Sequence, residues 1–357
     1  MDEKVVSFLR RVYREHYFNR HDLVEIPPMI ESREFGYIPF GGGMIRHLSF
    51  KSPGELFAEL VKQAPSSVFC SNAIYERPTL QMDEKGWKGA DLIFDIDADS
   101  IPTSCKAGHT WWFCSNCHRG GMGTKPTKCP SCQDQSVEQM HWSCRECLNA
   151  TKEHVKRLVD FLKDDFGIDH QDIRLYFSGN RGYHAQVHDE RFETADPQIR
   201  SEIANYVRGT GFSLKVQDRL PDHAEFGWGR RADLFLAANE GPSRTRRNQK
   251  LMNQIVDANA ALIDESVTTD IHRVFRMPGT LHGNSGLLKM RIESLEEFDP
   301  QKQPVILSGE TVRVRIYYSP EFFLKGTRFG PFNSSTVQIP IYAAVFLLAR
   351  GLGVLAN

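Results

Sequence analysis

The sequence has almost no net charge and no long apolar run. Its 44 Lys and Arg residues balance 45 Asp and Glu residues, so the formal charge is −1. No global basic surface for a polyanion is indicated, and any such surface must be local. No apolar stretch reaches the length of a membrane span, and the first residues lack the basic-then-apolar order of a signal peptide. We therefore expect a globular, cytosolic protein without a membrane segment.

Cysteine is nearly absent outside one segment. Seven of the eight cysteines lie between Cys105 and Cys147, several of them in CxxC pairs, whereas Cys70 stands apart. In a chain without a secretion signal this spacing indicates a metal site rather than disulfides. Cys70 is expected to be a small buried residue. The rest of the chain, 40% hydrophobic and 25% charged, is long enough for one large or two ordinary domains.

Apolar periodicity predicts alternating helices and strands. A strand, a long helix and a returning hairpin at 91–187 favour an α/β (α+β) fold over a bundle or a barrel. Residues 68–75 and the strand at 91–99 are expected to be neighbours. The other predicted helices lie at 5–17, from Ser52, at 149–166, 197–207, 251–263 and 342–349, and the other strands lie within 33–50 and at 173–177, 183–187, 267–275 and 312–318.

The most unusual strand pattern is Asp91-Leu92-Ile93-Phe94-Asp95-Ile96-Asp97-Ala98-Asp99. Successive side chains of a strand point to opposite faces, so one face is apolar and the other is a row of carboxylates. Carboxylates packed together repel one another and require a positive partner if they are buried. A hard divalent cation is the simplest partner. The alternative is an edge strand with a solvated acidic face, and the strand alone does not decide between them.

Two CxxC pairs within the cysteine-rich segment predict a zinc ribbon. Cys114, Cys117, Cys129 and Cys132 supply four thiolates, which fill a tetrahedral Zn²⁺ shell and leave no position open for substrate. We therefore predict a structural zinc ion.

A second set of metal-ligand residues flanks this ribbon. It consists of Cys105, His109, Cys144 and Cys147, with His118 or His141 as substitutes for His109. These residues either close a second zinc site or leave Cys144 and Cys147 as an unused pair.

A glycine-containing turn joins two predicted strands at Ser178-Gly179-Asn180-Arg181-Gly182-Tyr183-His184. Its glycines allow backbone N–H groups to approach an anion, and its Arg and His can bind phosphate. The alternative is an ordinary structural turn. A later stretch, Asp270-Ile271-His272-Arg273-Val274-Phe275-Arg276 and on to His282, would add a carboxylate on a strand and further basic groups.

These stretches, in this order, resemble the small catalytic subunit of archaeal and eukaryotic DNA primase, with the archaeal branch closer. The resemblance lies in Phe94-Asp95-Ile96-Asp97, in Ser178-Gly179-x-Arg181-Gly182-x-His184, and in Asp270 followed by Arg276-x-Pro278-x-x-Leu281-His282-Gly283. Two upstream stretches are also similar, namely Arg33-Glu34-Phe35-Gly36 and Arg46-x-Leu48-Ser49-Phe50. The motifs span residues 33–289.

The resemblance implies the archaeo-eukaryotic primase fold, in which an RRM-like mixed sheet is joined to a second α/β unit with an inserted zinc-binding stem. The implied division is a catalytic domain at 1–104 and 148–357, a zinc-binding insertion at 105–147, and a surface subdomain at 208–250. The metal-binding acids would be Asp95, Asp97 and Asp270. The nucleotide-binding residues would be Ser178, Gly179, Arg181, Gly182, His184, Arg273, Arg276, His282, Arg46 and Glu34.

The implied activity is template-directed synthesis of short RNA primers, or DNA primers, from NTPs or dNTPs on single-stranded DNA with two Mg²⁺ or Mn²⁺ ions. A larger regulatory subunit would be the partner, and the enzyme would work at the nucleoid in the cytoplasm of an archaeal cell. Template would lie in a basic groove containing Arg230, Arg231, Arg244 and Arg246, with Trp228 for stacking.

Two other functions remain open at this point. One is a primase-polymerase of the same superfamily, used in end joining or plasmid replication. The other is a non-catalytic nucleic-acid-binding protein with a zinc ribbon, which would need neither Asp95 nor Asp97.

Overall fold

A computed structural model describes residues 2–142, 144–212, 226–239 and 249–356. Its helices are α1 Glu3–Asn19, α2 Pro53–Gln63, α3 Arg145–Asp160, α4 Glu190–Glu193, α5 Pro197–Arg208, α6 Gly227–Ala238, α7 Gln249–Asn259, α8 Glu265–Thr269 and α9 Ile341–Leu348. Its first eleven strands are β1 Phe35–Ile38, β2 Ile45–Leu48, β3 Ser67–Ser71, β4 Ala73–Tyr75, β5 Trp87–Ala90, β6 Leu92–Asp97, β7 Thr110–Cys114, β8 Gly120–Met122, β9 Val137–His141, β10 Ile173–Phe177 and β11 Gly182–Val187. Further strands are β12 Val274–Arg276, β13 Met290–Ile292, β14 Thr311–Ser319, β15 Phe322–Leu324, β16 Thr327–Phe329, β17 Phe332–Pro340 and β18 Gly353–Leu355.

Two four-stranded sheets form the centre of the molecule. Their strand orders are β12-β3-β1-β2 and β13-β10-β11-β6. Every strand pairing in these two sheets is antiparallel. The α+β class is therefore confirmed, but neither sheet is the mixed sheet that the resemblance implied. The sheets meet where the His184 ring packs against the Phe275 ring, with ring centroids 4.4 Å apart.

The alternation predicted for the acidic strand is confirmed in β6. Leu92, Phe94 and Ile96 are buried in the main core, where they pack with the apolar face of α3. Asp95 and Asp97 point to the opposite face, toward the first sheet. Burial of the apolar face fixes the register of the strand, because a slip of one residue would put carboxylates into the core.

The predicted helices and the hairpin β10–β11 are also confirmed. Ser52 caps α2 by accepting a hydrogen bond from the N–H of Glu55, and the Glu55 carboxylate accepts one from the N–H of Lys51. α3 continues through one wider turn, Phe161–Asp165, and the chain leaves it at Gly167, whose φ of +60° suits glycine.

Two local predictions need correction. The segment 68–75 meets the acidic strand only at its start, where the Asp91 N–H donates to the Asn72 carbonyl at 2.9 Å, because β3 joins the first sheet and β6 pairs with β11. Residues 267–275 do not form one strand, because Asp264 caps the short helix α8 and only Val274–Arg276 are extended. A local apolar pattern does not distinguish a short buried helix from a strand.

The cysteine-rich segment forms a separate three-stranded sheet, β8-β7-β9. It rests on the C-terminal part of the chain, where Trp111 packs against Tyr318 with ring centroids 5.4 Å apart. Within the described residues, no helix is long and apolar enough to cross a membrane. The predicted boundaries of the catalytic domain, the insertion and the surface subdomain remain predictions.

Candidate active site

Asp95 and Asp97 lie on β6 beside the strand that follows the glycine turn. In the β6–β11 ladder Asp95 is opposite His184, and Asp97 is opposite Gly182. Asp95 Oδ1 is 3.4 Å from His184 Nε2. The strand pairing therefore brings together two of the motifs that the sequence keeps about 90 residues apart.

Of these two acids, Asp97 pairs with Arg181, whereas no Lys or Arg pairs with Asp95 in the described part of the chain. Burial raises the pKa of Asp95 to about 7, and the negative charges of Asp97 and Asp264 act in the same direction. Burial also raises the pKa of Asp97, against the opposing charge of Arg181. His184 adds no positive charge, since burial lowers its pKa well below the usual value. Paired carboxylates of this kind form an oxygen donor set that suits a hard divalent cation.

A third acid at this place, Asp264, was missed by the sequence analysis. Its backbone N–H donates a hydrogen bond to Asp95 O at 2.9 Å, and its side chain is exposed. The carboxylate accepts from the N–H of Ser266 at 2.9 Å, as the cap of α8. The Asp-x-Ser pattern at the helix start was a readable capping signal, but its closeness to Asp95 comes from the tertiary fold.

Asp270, the third acid expected from the sequence, is engaged locally. Its Oδ1 accepts a hydrogen bond from the N–H of His272 at 2.9 Å, and its carbonyl accepts one from Asn72 Nδ2 at 3.3 Å. It lies at the end of α8 and not on a strand, which corrects that expectation. In the described part of the chain, Asp95, Asp97 and Asp270 do not form a compact group of metal-ligand atoms. Asp264 does not complete such a group in the described residues either, but its charge, like that of Asp97, raises the pKa of Asp95.

The glycine turn is shaped by the Ser178 side chain and by the conformational freedom of Gly179. Ser178 Oγ accepts hydrogen bonds from the N–H groups of Asn180 at 3.3 Å and Gly182 at 3.1 Å. Gly179 has a φ of +86°, and a Cβ there would come within 3.0 Å of His282 Cβ. The turn is thus closed on itself and pressed against the segment that carries His282.

Arg181 connects this turn to the acids. Its Nε is 3.2 Å from Asp97 Oδ1, and its Nη1 is 2.8 Å from Asp99 Oδ2. The side chain is 33% exposed, so solvent or a ligand can reach the guanidinium. The pairing leaves Arg181 between a carboxylate cluster and the open side of the turn.

Basic side chains collect on that open side. Burial lowers the pKa of His282 well below its usual value, and the charges of Arg276, Arg350 and Arg181 act in the same direction. Burial lowers the pKa of Arg276 to about 10, and its Nη1 atom is buried without a hydrogen-bond partner. Unpaired buried donors of this kind favour an anionic ligand.

Two of the cations in this neighbourhood were missed by the sequence analysis. Arg350 follows α9, and its Nη2 donates a hydrogen bond to Asn180 Oδ1 at 3.1 Å. Lys289 is buried, and its Nζ donates to the carbonyl of Arg276 at 2.7 Å. No sequence motif marks either residue, because each reaches the site only through the packing of distant elements.

Glu34 and Arg46, expected in the nucleotide pocket, bind each other. Glu34 Oε1 accepts a hydrogen bond from Arg46 Nε at 2.9 Å, and Oε2 accepts one from Lys85 Nζ at 2.7 Å. Burial alone would raise the pKa of Glu34, but these two cations outweigh it and lower the pKa. Glu34 is fully buried, so it is placed to orient Arg46 rather than to touch a ligand. Arg273 is half-buried, and its positive charge opposes the raised pKa of Asp95.

The four cysteines of the predicted zinc ribbon converge. Cys114 Sγ is 3.7 Å from Cys132 Sγ, and Cys117 Sγ is 3.5 Å from Cys129 Sγ. Zinc–sulfur bonds of about 2.3 Å in a tetrahedron place the sulfurs roughly 3.8 Å apart. The ligand set therefore fits Zn²⁺.

The second predicted set also converges. Cys105 Sγ is 3.3 Å from Cys147 Sγ, and Cys144 Sγ is 3.7 and 3.8 Å from these two sulfurs. His109 joins them, with all four ligand atoms within 4.8 Å of one another. His118 instead stacks on Tyr317, with ring centroids 4.0 Å apart. His109 is therefore the histidine that groups with these three cysteines in the described residues, and the set could hold Zn²⁺.

The predicted template groove is not supported where it can be described. Trp228 is buried and donates through Nε1 to the carbonyl of Tyr206, so its role as an exposed stacking residue is wrong. Arg231 is also enclosed, because it pairs with Asp165 at 2.7 Å. Arg230 remains half exposed. Arg244, Arg246 and much of the predicted subdomain at 208–250 lie outside the described residues.

Comparisons with known proteins show the family of the chain. The family model described as DNA primase small subunit matches residues 128–294. The DNA primase small subunit PriS of Nitrosopumilus maritimus is 35% identical over 100% of both chains. The chain belongs to the DNA primase small subunit family.

A second relative and one solved structure are also similar to the chain. The corresponding PriS of Cenarchaeum symbiosum is 35% identical over 99% of both chains. The polymerase domain of Mycobacterium tuberculosis Ligase D, solved in complex with DNA, is 12% identical with a TM-score of 0.37 over 83% of both chains. The resemblance seen in the sequence is thereby confirmed, and the protein is a nucleotidyltransferase of the kind that forms the catalytic subunit of primase in DNA replication.

Proposed function

We propose that the chain synthesises short RNA primers on a single-stranded DNA template by two-metal nucleotidyl transfer. The observation that carries this proposal is the juxtaposition, at one end of the β6–β11 pair, of the carboxylates of β6 and a group of basic side chains, among which Arg276 has a buried Nη1 atom without a hydrogen-bond partner. Asp95 and Asp97 lie on one side, and Arg181, Arg276 and His282 lie on the other. A nucleoside triphosphate with bound divalent ions matches both halves of this arrangement.

The acids Asp95, Asp97 and Asp264 would hold the divalent ions. Two such ions lower the pKa of an attacking 3′-hydroxyl and stabilise the leaving pyrophosphate. The raised pKa of Asp95 supports this assignment. Without a cation the carboxyl group is partly protonated near pH 7, and a bound divalent cation would ionise it. His184, neutral and 3.4 Å from Asp95, is suited to hold that carboxylate in place.

The triphosphate would lie along the glycine turn. Arg181, Arg276 and His282 can neutralise the charge that develops on it during transfer. His282 would gain its proton when an anion binds, because its low pKa results from burial and from neighbouring positive charges. These groups recognise phosphate rather than base, so base choice is left to pairing with the template.

A larger regulatory subunit is the proposed partner, since relatives of this chain are named as small subunits. Single-stranded DNA is the proposed template, and NTPs are the proposed substrates. We place this activity in the cytoplasm of an archaeal cell, where the chromosomal template lies.

The deciding experiment is de novo synthesis by the full-length chain. An unprimed single-stranded DNA, labelled NTPs and Mg²⁺ or Mn²⁺ are incubated with the wild type and with D97N, D264N and D270N. We expect short products from the wild type and a loss of roughly 100-fold or more in D97N and D264N, because each removes a metal-binding carboxylate. D270N should retain most of the activity, because Asp264, and not Asp270, is among the main charges that act on Asp95.

Other outcomes would revise specific parts of the proposal. Loss of activity in D270N with retention in D264N would restore Asp270 as the third acid. Extension of a supplied primer without de novo synthesis would indicate a primase-polymerase, or a requirement for the larger subunit. Full incorporation by D97N would overturn the catalytic site itself.

The two cysteine clusters would each hold one structural Zn²⁺. We expect two zinc ions per chain in the purified protein, measured by atomic emission. C117S and C105S should each lose one, whereas C70S, which removes the cysteine outside both clusters, should lose none. One zinc ion per wild-type chain would contradict the second site.

A further inference from the structure

Arg350 is held in a defined position beside the glycine turn. Its Nη1 donates a hydrogen bond to the carbonyl of Phe346 at 2.7 Å, and its Nη2 donates to Asn180 Oδ1 at 3.1 Å. The guanidinium carbon lies 3.9 Å from the centre of the Phe346 ring and 5.1 Å from that of Trp142. Two aromatic faces and two hydrogen bonds therefore fix the guanidinium, as is typical of an arginine that is preorganised for recognition.

The charge of Arg350 has no counter-ion in the described part of the chain. No carboxylate oxygen there lies within 4.0 Å of its side-chain nitrogens, and its two hydrogen bonds go to neutral oxygens. Burial and the charge of Arg181 lower the pKa of Arg350 to about 9. Buried cations are rarely left unpaired. An anion supplied by a ligand would complete this environment.

The location of Arg350 indicates which anion this is. Asp95 pairs with His184, Asp97 pairs with Gly182, and Asn180 lies beyond both at the tip of the turn. Arg350 touches that tip, so along the strand pair it stands beyond Asp97, on the side away from Asp95. In the proposed reaction the acids lie at the reacting α-phosphate. The far end then corresponds to the terminal phosphate.

A small, open pocket lies at this tip. It is lined by His141, Trp142, Asn180, Arg181, Phe346 and Arg350. Arg181 and Arg350 are the two cations on its wall. Arg181 also contacts Asp97 and Asp99. The pocket is thus joined through Arg181 to the carboxylate site.

We infer that Arg350 binds the γ-phosphate of the incoming nucleotide and makes the site selective for nucleoside triphosphates over diphosphates. This inference rests on the proposed function and adds a residue that no motif assigns to it. Arg350 contributes binding energy that a diphosphate cannot use, because its guanidinium faces the position that only the third phosphate reaches.

The test compares the affinities of GTP and GDP for the full-length chain. Dissociation constants are measured by isothermal titration calorimetry with Mg²⁺ and without template, for the wild type and for R350Q. We expect R350Q to bind GTP about 10- to 100-fold more weakly, as for loss of a charge-assisted hydrogen bond, with GDP affinity nearly unchanged. An equal loss for both nucleotides, or no loss for either, would overturn the inference.

Three further variants separate direct binding from positioning. N180A removes the hydrogen bond that Arg350 makes to the turn, and it should keep most of the preference for GTP. If N180A abolishes that preference as R350Q does, Arg350 acts by positioning the turn, and the inference fails. R350K keeps the positive charge and should retain part of the preference. R11Q is the matched control, because Arg11 is 65% exposed and pairs weakly with Glu15 at 3.9 Å.

Folding and the underlying function are checked separately. Arg350 also bonds to the end of α9, so the thermal midpoint of each variant is measured, and binding is compared well below it. If R350Q does not fold, R350K and R350M are measured instead. Wild-type GTP affinity and a full preference for GTP in both variants at pH 7 would overturn the inference. A wild type that neither binds GTP nor incorporates NTPs contradicts the proposed function. A wild type that does both, with an unchanged preference in R350Q, contradicts the role of Arg350 alone.

Discussion

The two ends of the acidic strand use the same residue type in opposite ways. Asp91, just before β6, is buried, and its Oδ2 accepts hydrogen bonds from Arg33 Nη1 at 2.9 Å and Gln186 Nε2 at 3.0 Å. Asp95, four residues later on the same face, is opposite a neutral His184, and burial together with neighbouring acids raises its pKa to about 7. One carboxylate is neutralised within the fold and the other is not.

The difference shows how structure and function divide along one strand. A buried ion pair such as Arg33–Asp91 offsets its own desolvation by Coulomb attraction and hydrogen bonds. Asp95 and Asp97 repel each other in a partly buried place, which destabilises the empty site. Such local cost is typical of functional residues, whose compensation comes from the ligand.

The largest expected difference between substitutions of Asp95 and Asp91 is in activity. D95N keeps the size of the side chain but removes the charge that a divalent ion needs. Primer synthesis should fall by roughly 10³-fold or more, which corresponds to several kcal/mol of lost transition-state stabilisation. Initial rates with saturating NTP and Mn²⁺ measure it. D91N, compared per folded molecule, should remain within about threefold of the wild type. Equal losses in both variants would remove the functional distinction between the two acids.

The next largest effect is on stability, and here substitution of Asp91 should matter more than substitution of Asp95. D91N leaves the Arg33 guanidinium buried without its counter-charge, so the free energy of unfolding should drop by about 3–5 kcal/mol. D95N should be neutral or slightly stabilising, because it relieves repulsion with Asp97. Urea unfolding followed by circular dichroism measures both. Replacing both partners, as in R33M with D91L, should recover part of the loss, and a D91N variant as stable as the wild type would show that the pair contributes nothing.

The smallest effect is the pH dependence of stability. In the metal-free site the pKa of Asp95 is about 7 in the folded chain against 3.8 ordinarily, so the folded chain binds this proton more tightly than the unfolded chain does. The contribution of Asp95 to the free energy of unfolding therefore falls as pH rises from about 4 to about 7, by a few kcal/mol at most.

Subtracting the free energy of unfolding of D95N from that of the wild type isolates this contribution, since the asparagine does not titrate. Urea unfolding without added Mg²⁺ or Mn²⁺, at a series of pH values, should show the wild type losing stability relative to D95N toward pH 7. Adding Mn²⁺ at pH 7 should stabilise the wild type and not the variant. A difference that is constant with pH would show that Asp95 is not perturbed.

Much of the site was predictable from sequence because its signals are local. Alternation in β6 separated the apolar face from the acidic face, and the glycines and Arg181 marked the turn. The CxxC spacings marked both cysteine clusters. Each signal depends on residues within a few positions of one another, where chain geometry alone fixes their relative directions.

The residues that sequence reasoning missed, or placed wrongly, depend on long-range contacts. Asp264 reaches Asp95 across about 170 positions of sequence through a backbone hydrogen bond, while Asp270, which resembles the family's acid, bonds to its own loop. Trp228, selected as an exposed aromatic, is buried. Burial and partner choice are properties of packing, and no local pattern contains them.

The sequence by itself therefore determined the chemistry that is available: rows of acids, a phosphate-type turn, thiolates at zinc spacing, and the periodicities of an α+β fold. Tertiary structure alone decided how that chemistry is used. Arg33 neutralises Asp91 from 58 positions away, and among the described residues no comparable cation reaches Asp95. The physical reason is that a carboxylate's charge state depends on burial and on neighbouring charges, which only the folded chain brings together.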